Sequence, residues 1–193
     1  MTRHTAIRWW PPIGLFAMVL LGLAVGKGST PVDDWFIDFG RTHRSVHALL
    51  HFTDGRLVVA LFAVTLVVAL HRRRWRLAAV VVVTPAVALA VERVSKPLFG
   101  REKDGALAYP SGHVALTVVV TGMAVLVAGG ALWAIVAAVA VSVLGLLGQA
   151  FTYHYFTDTV GAVCLGTALV CAAALATGLD RCQPRCDPRH SGG

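Results

Sequence analysis

The chain is predicted to be all-α, an integral membrane bundle of six transmembrane helices with a short amphipathic helix on the outer membrane surface. Three observations predict it. Of 193 residues, 56% are hydrophobic and only 14% are charged. The mean hydropathy of +0.70 lies well above that of soluble chains. Apolar runs recur at residues 13–25, 57–70, 77–91, 114–127, 131–150 and 160–179, separated by short polar or Gly-rich breaks.

A spanning helix needs about 20 residues. Several strict runs are shorter, and their flanks extend them: 52–55 before the second, Trp75 before the third, and Ser111-Gly112-His113 before the fourth. The first run has a basic start but no small-x-small cleavage site before Pro31, so it reads as a retained helix rather than a signal peptide. Gly129-Gly130 makes a tight hairpin between the fourth and fifth spans. Pro184 and Pro188 argue against helix beyond the sixth. The length fits one membrane domain, 1–193, with a six-helix core at 12–180, a connector helix at 31–55 and a flexible cytoplasmic tail at 181–193.

Residues 31–55 form the one long segment that is neither span nor turn. Asp33 and Asp34 open it as helix N-terminal residues, and Trp35, Phe36, Phe39, Val46, Leu49 and Leu50 recur at roughly helical spacing. An amphipathic helix on the outer surface fits, with Asp38, Arg41 and Arg44 toward water. It is a connector, or the lining of a lipid-entry groove.

Six spans put both termini on one side, with the Arg72-Arg73-Arg74-Trp75-Arg76 loop. Short basic loops stay cytoplasmic. The formal net charge of +7 then resides on the cytoplasmic side, facing anionic lipid head groups. The bases are split among short loops without a recognition motif, which argues against nucleic acid. Cys164 and Cys171 lie seven apart in the last span and read as packing residues. Cys182 and Cys186 sit in the tail; His190 could join them, but the set falls short of a zinc site. Arg heavily outnumbers Lys, and Ala and Val dominate, which points to a bacterium with a GC-rich genome and so to its inner membrane.

The chemistry concentrates outside. From 105 to 157 there is no Asp, Glu, Lys or Arg, so His113 and His154 stand almost alone among apolar residues. Ionisable groups in such a setting mark function. Lys96, Arg101 and Lys103 follow the third span, with Glu92 four residues before Lys96 and able to pair with it. Bases at a helix end often only anchor it. Tyr109-Pro110-Ser111-Gly112-His113 adds a turn opening a helix, whose free amides make an anion site. Ser111 offers a hydroxyl and His113 a proton near neutrality. Capping alone would also explain the Ser-Gly-His turn. Asp158, four residues after His154, is positioned to accept from one ring nitrogen and leave the other as nucleophile or base. Two other readings remain: a local pair capping the sixth span, or three metal ligands, His113, His154 and Asp158. The neighbouring cations oppose a metal. Phosphate ester chemistry uses all these groups together.

These residues resemble the type 2 phosphatidic acid phosphatase family, membrane lipid phosphatases related to vanadium haloperoxidases. Its pattern is a Lys followed after six residues by Arg-Pro, then Pro-Ser-Gly-His, then Ser-Arg and, five residues on, His-x-x-x-Asp. Lys96 fits the first block, with Lys103 and Asp104 in place of Arg-Pro; Arg101 matches an additional Arg of the related pattern Lys-Pro-Leu-x-Gly-Arg. Pro110 to His113 complete the second. His154 and Asp158 fit the third, but the expected Ser-Arg falls on Leu147-Gly148, beside Gln149.

The resemblance implies a lipid phosphatase acting through a phosphohistidine on His154. Asp158 would orient that ring and His113 protonate the leaving oxygen. Lys96, Arg101, Lys103, Ser111 and the Gly112 amide would stabilise the developing charge, with no metal or cofactor. The substrate is a lipid phosphate of polyprenyl or phospholipid type, met on the extracytoplasmic face. The alternatives are a lipid-phosphate binding or transport protein of the same fold that has lost turnover, and a phosphatase for a small soluble ester.

Overall fold

A computed structural model describes residues 3–178, with side chains from residue 5 onward. The expected tail at 181–193, with Cys182, Cys186 and His190, lies outside the described residues. The chain forms α1 (Arg3–Val25), α2 (Pro31–Thr42), a 3-10 helix η1 (Arg44–Thr53), α3 (Gly55–His71) and α4 (Trp75–Phe99). A two-stranded hairpin follows, β1 (Glu102–Lys103) with β2 (Ala106–Leu107), then α5 (Gly112–Val127), α6 (Leu132–Ala150) and α7 (Phe156–Thr177).

Among the described residues five stretches are long and apolar enough to cross a membrane: Thr5–Val25, Arg44–His71, Trp75–Phe99, Leu132–Ala150 and Phe156–Thr177. The fourth apolar run, α5, is a helix of 16 residues and falls short of that length. Its place in the bundle explains why it is short. It packs against α3, α4, α6 and α7, while α1 lies along α7. A central helix meets protein on most sides and need not match the bilayer. At 1.5 Å per residue it is about 24 Å long.

Between apolar helices in lipid there is little hydrophobic drive, so close packing of small residues holds them together. Residues Gly166, Ala162, Ala168, Ala173 and Ala174 of α7 serve this way. A Cβ on Gly166 would lie 2.7 Å from Cγ1 of Val118 in α5. Val81, Val119, Met123 and Ala173 fill one buried cluster. Met18, Tyr109, Val114 and Leu165 fill a second beside the α5 N-terminus. Cys164 and Cys171 are free thiols on α7.

The single helix expected over 31–55 is instead two elements. It breaks at His43, where φ −115° and ψ 76° leave the helical region. The reason lies across the interface. Leu49 to Thr53 press onto α6 where it carries glycines: a Cβ on Gly145 would sit 2.7 Å from Cγ2 of Thr53, and one on Gly148 would sit 2.6 Å from the carbonyl carbon of Leu49. Gln149 Nε2 donates to the Thr53 hydroxyl at 2.8 Å and ties the contact. The position where the family pattern expects Arg is therefore filled by the backbone of η1. The aromatic side of α2 is also covered, with Phe36 stacked on Phe156 at 4.2 Å between centroids.

The segment between α4 and α5 is a hairpin closed by Asp104 and Gly105, both at positive φ (53° and 79°). Asp-Gly is the residue pair that this turn favours. Pairing of Glu102 with Leu107 and of Lys103 with Ala106 fixes its register. Gly112 contacts Glu92, seven residues before the end of α4. The start of α5 is thus sunk about 10 Å below the end of α4.

Gly148→Ala should lower stability by about 1–3 kcal/mol through overpacking against η1. Gly55→Ala, with open space at its Cβ, should leave it unchanged. Thermal unfolding of both variants in detergent checks the contrast.

Candidate active site

At the N-terminus of α5 the amides of Gly112, His113 and Val114 find no acceptor among the described residues. Unpartnered first-turn amides with the helix dipole behind them favour an anion. They open on a cavity of about 750 Å³. Lys96, Lys103, His113 and His154 line it, together with Gly112, Glu92, Gln149 and Tyr153. Five of the eight residues predicted from sequence thus meet at one space. The other three, Arg101, Ser111 and Asp158, lie outside its lining and are fully buried. The hydroxyl of Ser111 is buried and finds no partner.

Arg101 is the clearest departure from the sequence-based expectation. Its side chain is wholly inaccessible and all five N–H groups are used. Nε and one terminal nitrogen donate to the carbonyl of Gly28 at 3.1 and 2.9 Å. The same terminal nitrogen reaches Oδ2 of Asp33 at 2.7 Å. The other donates to Thr157 Oγ1 at 2.6 Å and to Asp158 Oδ1 at 2.7 Å. With no donor left, Arg101 has nothing to offer a phosphate. It joins the α1–α2 loop, the start of α2 and the start of α7, and the Tyr155 ring covers the guanidinium at 4.4 Å.

Asp33 completes this anchor and was not among the residues singled out for a site. Its carboxylate accepts from the Thr157 amide at 2.9 Å, from the Thr30 amide at 3.0 Å and from the Thr30 hydroxyl at 2.8 Å. Burial alone would raise its pKa, but those amides, the hydroxyl and Arg101 outweigh it and hold the carboxyl below its ordinary value. The Thr30-x-x-Asp33 capping box marks only the start of α2. Nothing local shows that Asp33 faces an Arg 68 positions away.

Asp158 serves the anchor before it serves His154. One oxygen takes Arg101; the other takes the Tyr155 amide at 3.1 Å, at the start of α7. His154 is in the loop before α7, and its Nδ1 lies 3.8 Å from Asp158 Oδ2. That exceeds a hydrogen bond, and Nδ1 is buried without a partner. Catalytic contacts are often this long before substrate binds. With Nδ1 toward Asp158, Nε2 is the ring nitrogen that faces away from that carboxylate.

Lys96 pairs with Glu92 at 2.6 Å, as the four-residue spacing predicts. Lys103 has no carboxylate within ion-pair reach among the described residues. Its ammonium donates to the carbonyls of Thr152 at 3.1 Å and His154 at 3.0 Å, so it holds the loop carrying His154. Burial, first among the causes, lowers its pKa. Gln149 adds a buried, unpartnered carbonyl oxygen. No cluster of three or more His, Cys, Asp or Glu suited to a metal occurs among the described residues.

The helical arrangement is that of a solved PAP2-type membrane phosphatase. The crystal structure of a transmembrane PAP2-type phosphatidylglycerolphosphate phosphatase from Bacillus subtilis aligns with a TM-score of 0.69, over 89% of this chain and 96% of that one, at 16% identity. At that identity the likeness is one of fold. No family model matches the chain, and no curated protein sequence matches it.

Removing one member of a buried ion pair costs about 3–5 kcal/mol. Arg101→Ala should therefore unfold at a markedly lower temperature, whereas Lys96→Ala should not. Asp33, with its lowered folded pKa, contributes stability above the ordinary carboxylate value of about 4. That contribution disappears as pH falls through the lowered folded value. Unfolding followed from neutral to acid pH should show a gap between wild type and Asp33→Asn that closes only at the acid end.

Proposed function

We propose that the protein is a membrane lipid phosphatase of the type 2 phosphatidic acid phosphatase family, working through a phosphohistidine. One observation carries the reading. His113 and His154, far apart in sequence, line one cavity with Lys96, Lys103 and the free amides of α5.

In this mechanism Nε2 of His154 attacks phosphorus, and the bond from phosphorus to the ester oxygen breaks. His113 gives its proton to that oxygen. Water then attacks phosphorus, His113 takes back a proton, the P–N bond breaks and phosphate leaves. The attacking ring gains positive charge, and the anchor answers it: Asp33 and Asp158 carry two negative charges against one on Arg101. Lys96, Lys103 and the α5 amides stabilise charge on the phosphoryl oxygens. Arg101 and Asp158 act by positioning, and no metal or cofactor enters.

The substrate is a lipid phosphate of polyprenyl or phospholipid type, since the site lies at the end of apolar helices. A six-span topology with the Arg72 to Arg76 loop in the cytoplasm, as short basic loops prefer, supports an extracytoplasmic site in a bacterial inner membrane. Labelling of Asp104→Cys from outside intact cells supports that side, and labelling only after lysis overturns it. The alternative is a binding or transport protein of this fold. The Lys96–Glu92 pair and the committed donors of Arg101 favour it, because both leave less charge for the transition state.

Phosphate release from lipid phosphates in detergent separates the two readings, and activity should survive EDTA. His154→Ala should lose turnover on every substrate, aryl phosphates with good leaving groups included. His113→Ala should lose about 10²–10⁴-fold on alkyl lipid phosphates and much less on aryl ones, as removal of a general acid does. Equal losses for His113→Ala on both, or turnover in His154→Ala, would sink the assignment of roles.

A further inference from the structure

Glu92 is the only acid of α4 and has no part in the mechanism above. Its side chain is buried, with 7% of the residue exposed. A carboxylate is costly to bury, and one kept in an apolar helix marks a function. Oε1 lies 2.6 Å from Nζ of Lys96, its one ion-pair partner among the described residues. The same oxygen would lie 2.9 Å from a Cβ on Gly112, and the carboxyl carbon 3.1 Å from it. Gly112 does not have a positive φ, so glycine serves there by leaving room. The Glu92 carboxyl group takes that room.

A carboxylate therefore stands at the place where the site would receive phosphate. It lies beside the α5 N-terminus without capping it, since the amides of Gly112, His113 and Val114 have no acceptor among the described residues. It also holds the ammonium of Lys96, which lines the same cavity. Asp54 and Asp104 reach that cavity too, but both are exposed and neither pairs with Lys96. A phosphate seated on the α5 amides comes against the Glu92 carboxylate and needs the cation that Glu92 holds. Two anions at that separation repel.

We infer that Glu92 is a built-in competitor of phosphate: it contests Lys96 and the α5 N-terminus, and so drives product phosphate out of the site. When phosphate binds, Lys96 turns from Glu92 to the phosphoryl oxygens. When the P–N bond has broken, the carboxylate reclaims the ammonium and phosphate loses a contact. The competition disfavours ester and product alike, but the ester is also retained by its tail in the membrane. Free phosphate depends on the charged seat alone, so the expulsion falls on the product. Glu92 acts through Lys96 and is a positioning residue. The inference rests on the phosphatase reading of the site.

Calorimetric titration of inorganic phosphate into the protein in detergent tests it, alongside inhibition of aryl phosphate turnover by phosphate. Glu92→Gln keeps the size and removes the charge. It should bind phosphate about tenfold more tightly than wild type, the scale of one charge-assisted contact. Glu92→Asp withdraws the charge by one methylene and should tighten binding by about threefold. Asp54→Asn removes an exposed, screened charge from the same cavity and should stay within about twofold. A Glu92 that only props Lys96 in place predicts weaker binding instead. Equal or weaker binding in Glu92→Gln, or the same tightening in Asp54→Asn, overturns the inference. If Glu92→Gln does not fold, Glu92→Asp decides by the same signs. The charge of Glu92 also bears on His113, so affinity is the readout and not rate. Turnover of no phosphate ester would fail the phosphatase reading, and the calorimetric comparison would still test Glu92. Phosphate binding by none of these proteins overturns the inference.

Discussion

The arrangement rests on one buried cluster, Arg101 between Asp33 and Asp158. A guanidinium and two carboxylates out of water are costly unless every donor and acceptor is met. Here the guanidinium is fully engaged, and the backbone of Gly28, Thr30, Tyr155 and Thr157 completes the set. The chain segments that meet there are consequently fixed relative to one another: the α1–α2 loop, the first turn of α2 and the first turn of α7. The hairpin that follows Arg101 is fixed with them, since the amide of Ala108 donates back to the Arg101 carbonyl at 2.8 Å. From that hairpin Lys103 reaches across to the carbonyls beside His154. The loop carrying His154 is thus held from both sides, by Lys103 of the hairpin and by Arg101 just before it.

This anchor also sets the electrostatics of the site. Its surplus negative charge lies on the Nδ1 side of His154, where positive charge on the ring is stabilised. On the opposite side Glu92 pairs with Lys96. In the proposed reading the seat for the anion is the N-terminus of α5, the short central helix, beside Glu92 of α4. Preorganised donors of this kind need no reorientation as charge develops, which makes them more effective than solvent dipoles.

Much of this was legible in the sequence, and the remainder divides by physical cause. The apolar runs gave the helices, because period and length are local properties. Lys96, Lys103, Gly112, His113 and His154 were identified by chemistry that stands out in an apolar chain, and they converge. Arg101 was read as a phosphate ligand because charge and position are visible in sequence, whereas the acceptors that consume its donors are not. Asp33 and Gly28 precede it by some 70 residues, and no local pattern links them. The break at His43 depends on Gly145 and Gly148, a tertiary contact that overrides the helical spacing of 31–55. The Asp104-Gly105 turn is different. Its signal, the Asp-Gly pair, is local and sufficient.

The central claim is that His154, held by this anchor, bonds covalently to phosphorus. Rapid quenching of the protein during turnover of a labelled phosphate ester, followed by peptide mass spectrometry under alkaline conditions, tests it directly. The account predicts phosphate on His154, lost on brief exposure to acid and absent in His154→Ala. Turnover without any phosphorylated protein, or phosphate on a different residue, would contradict it.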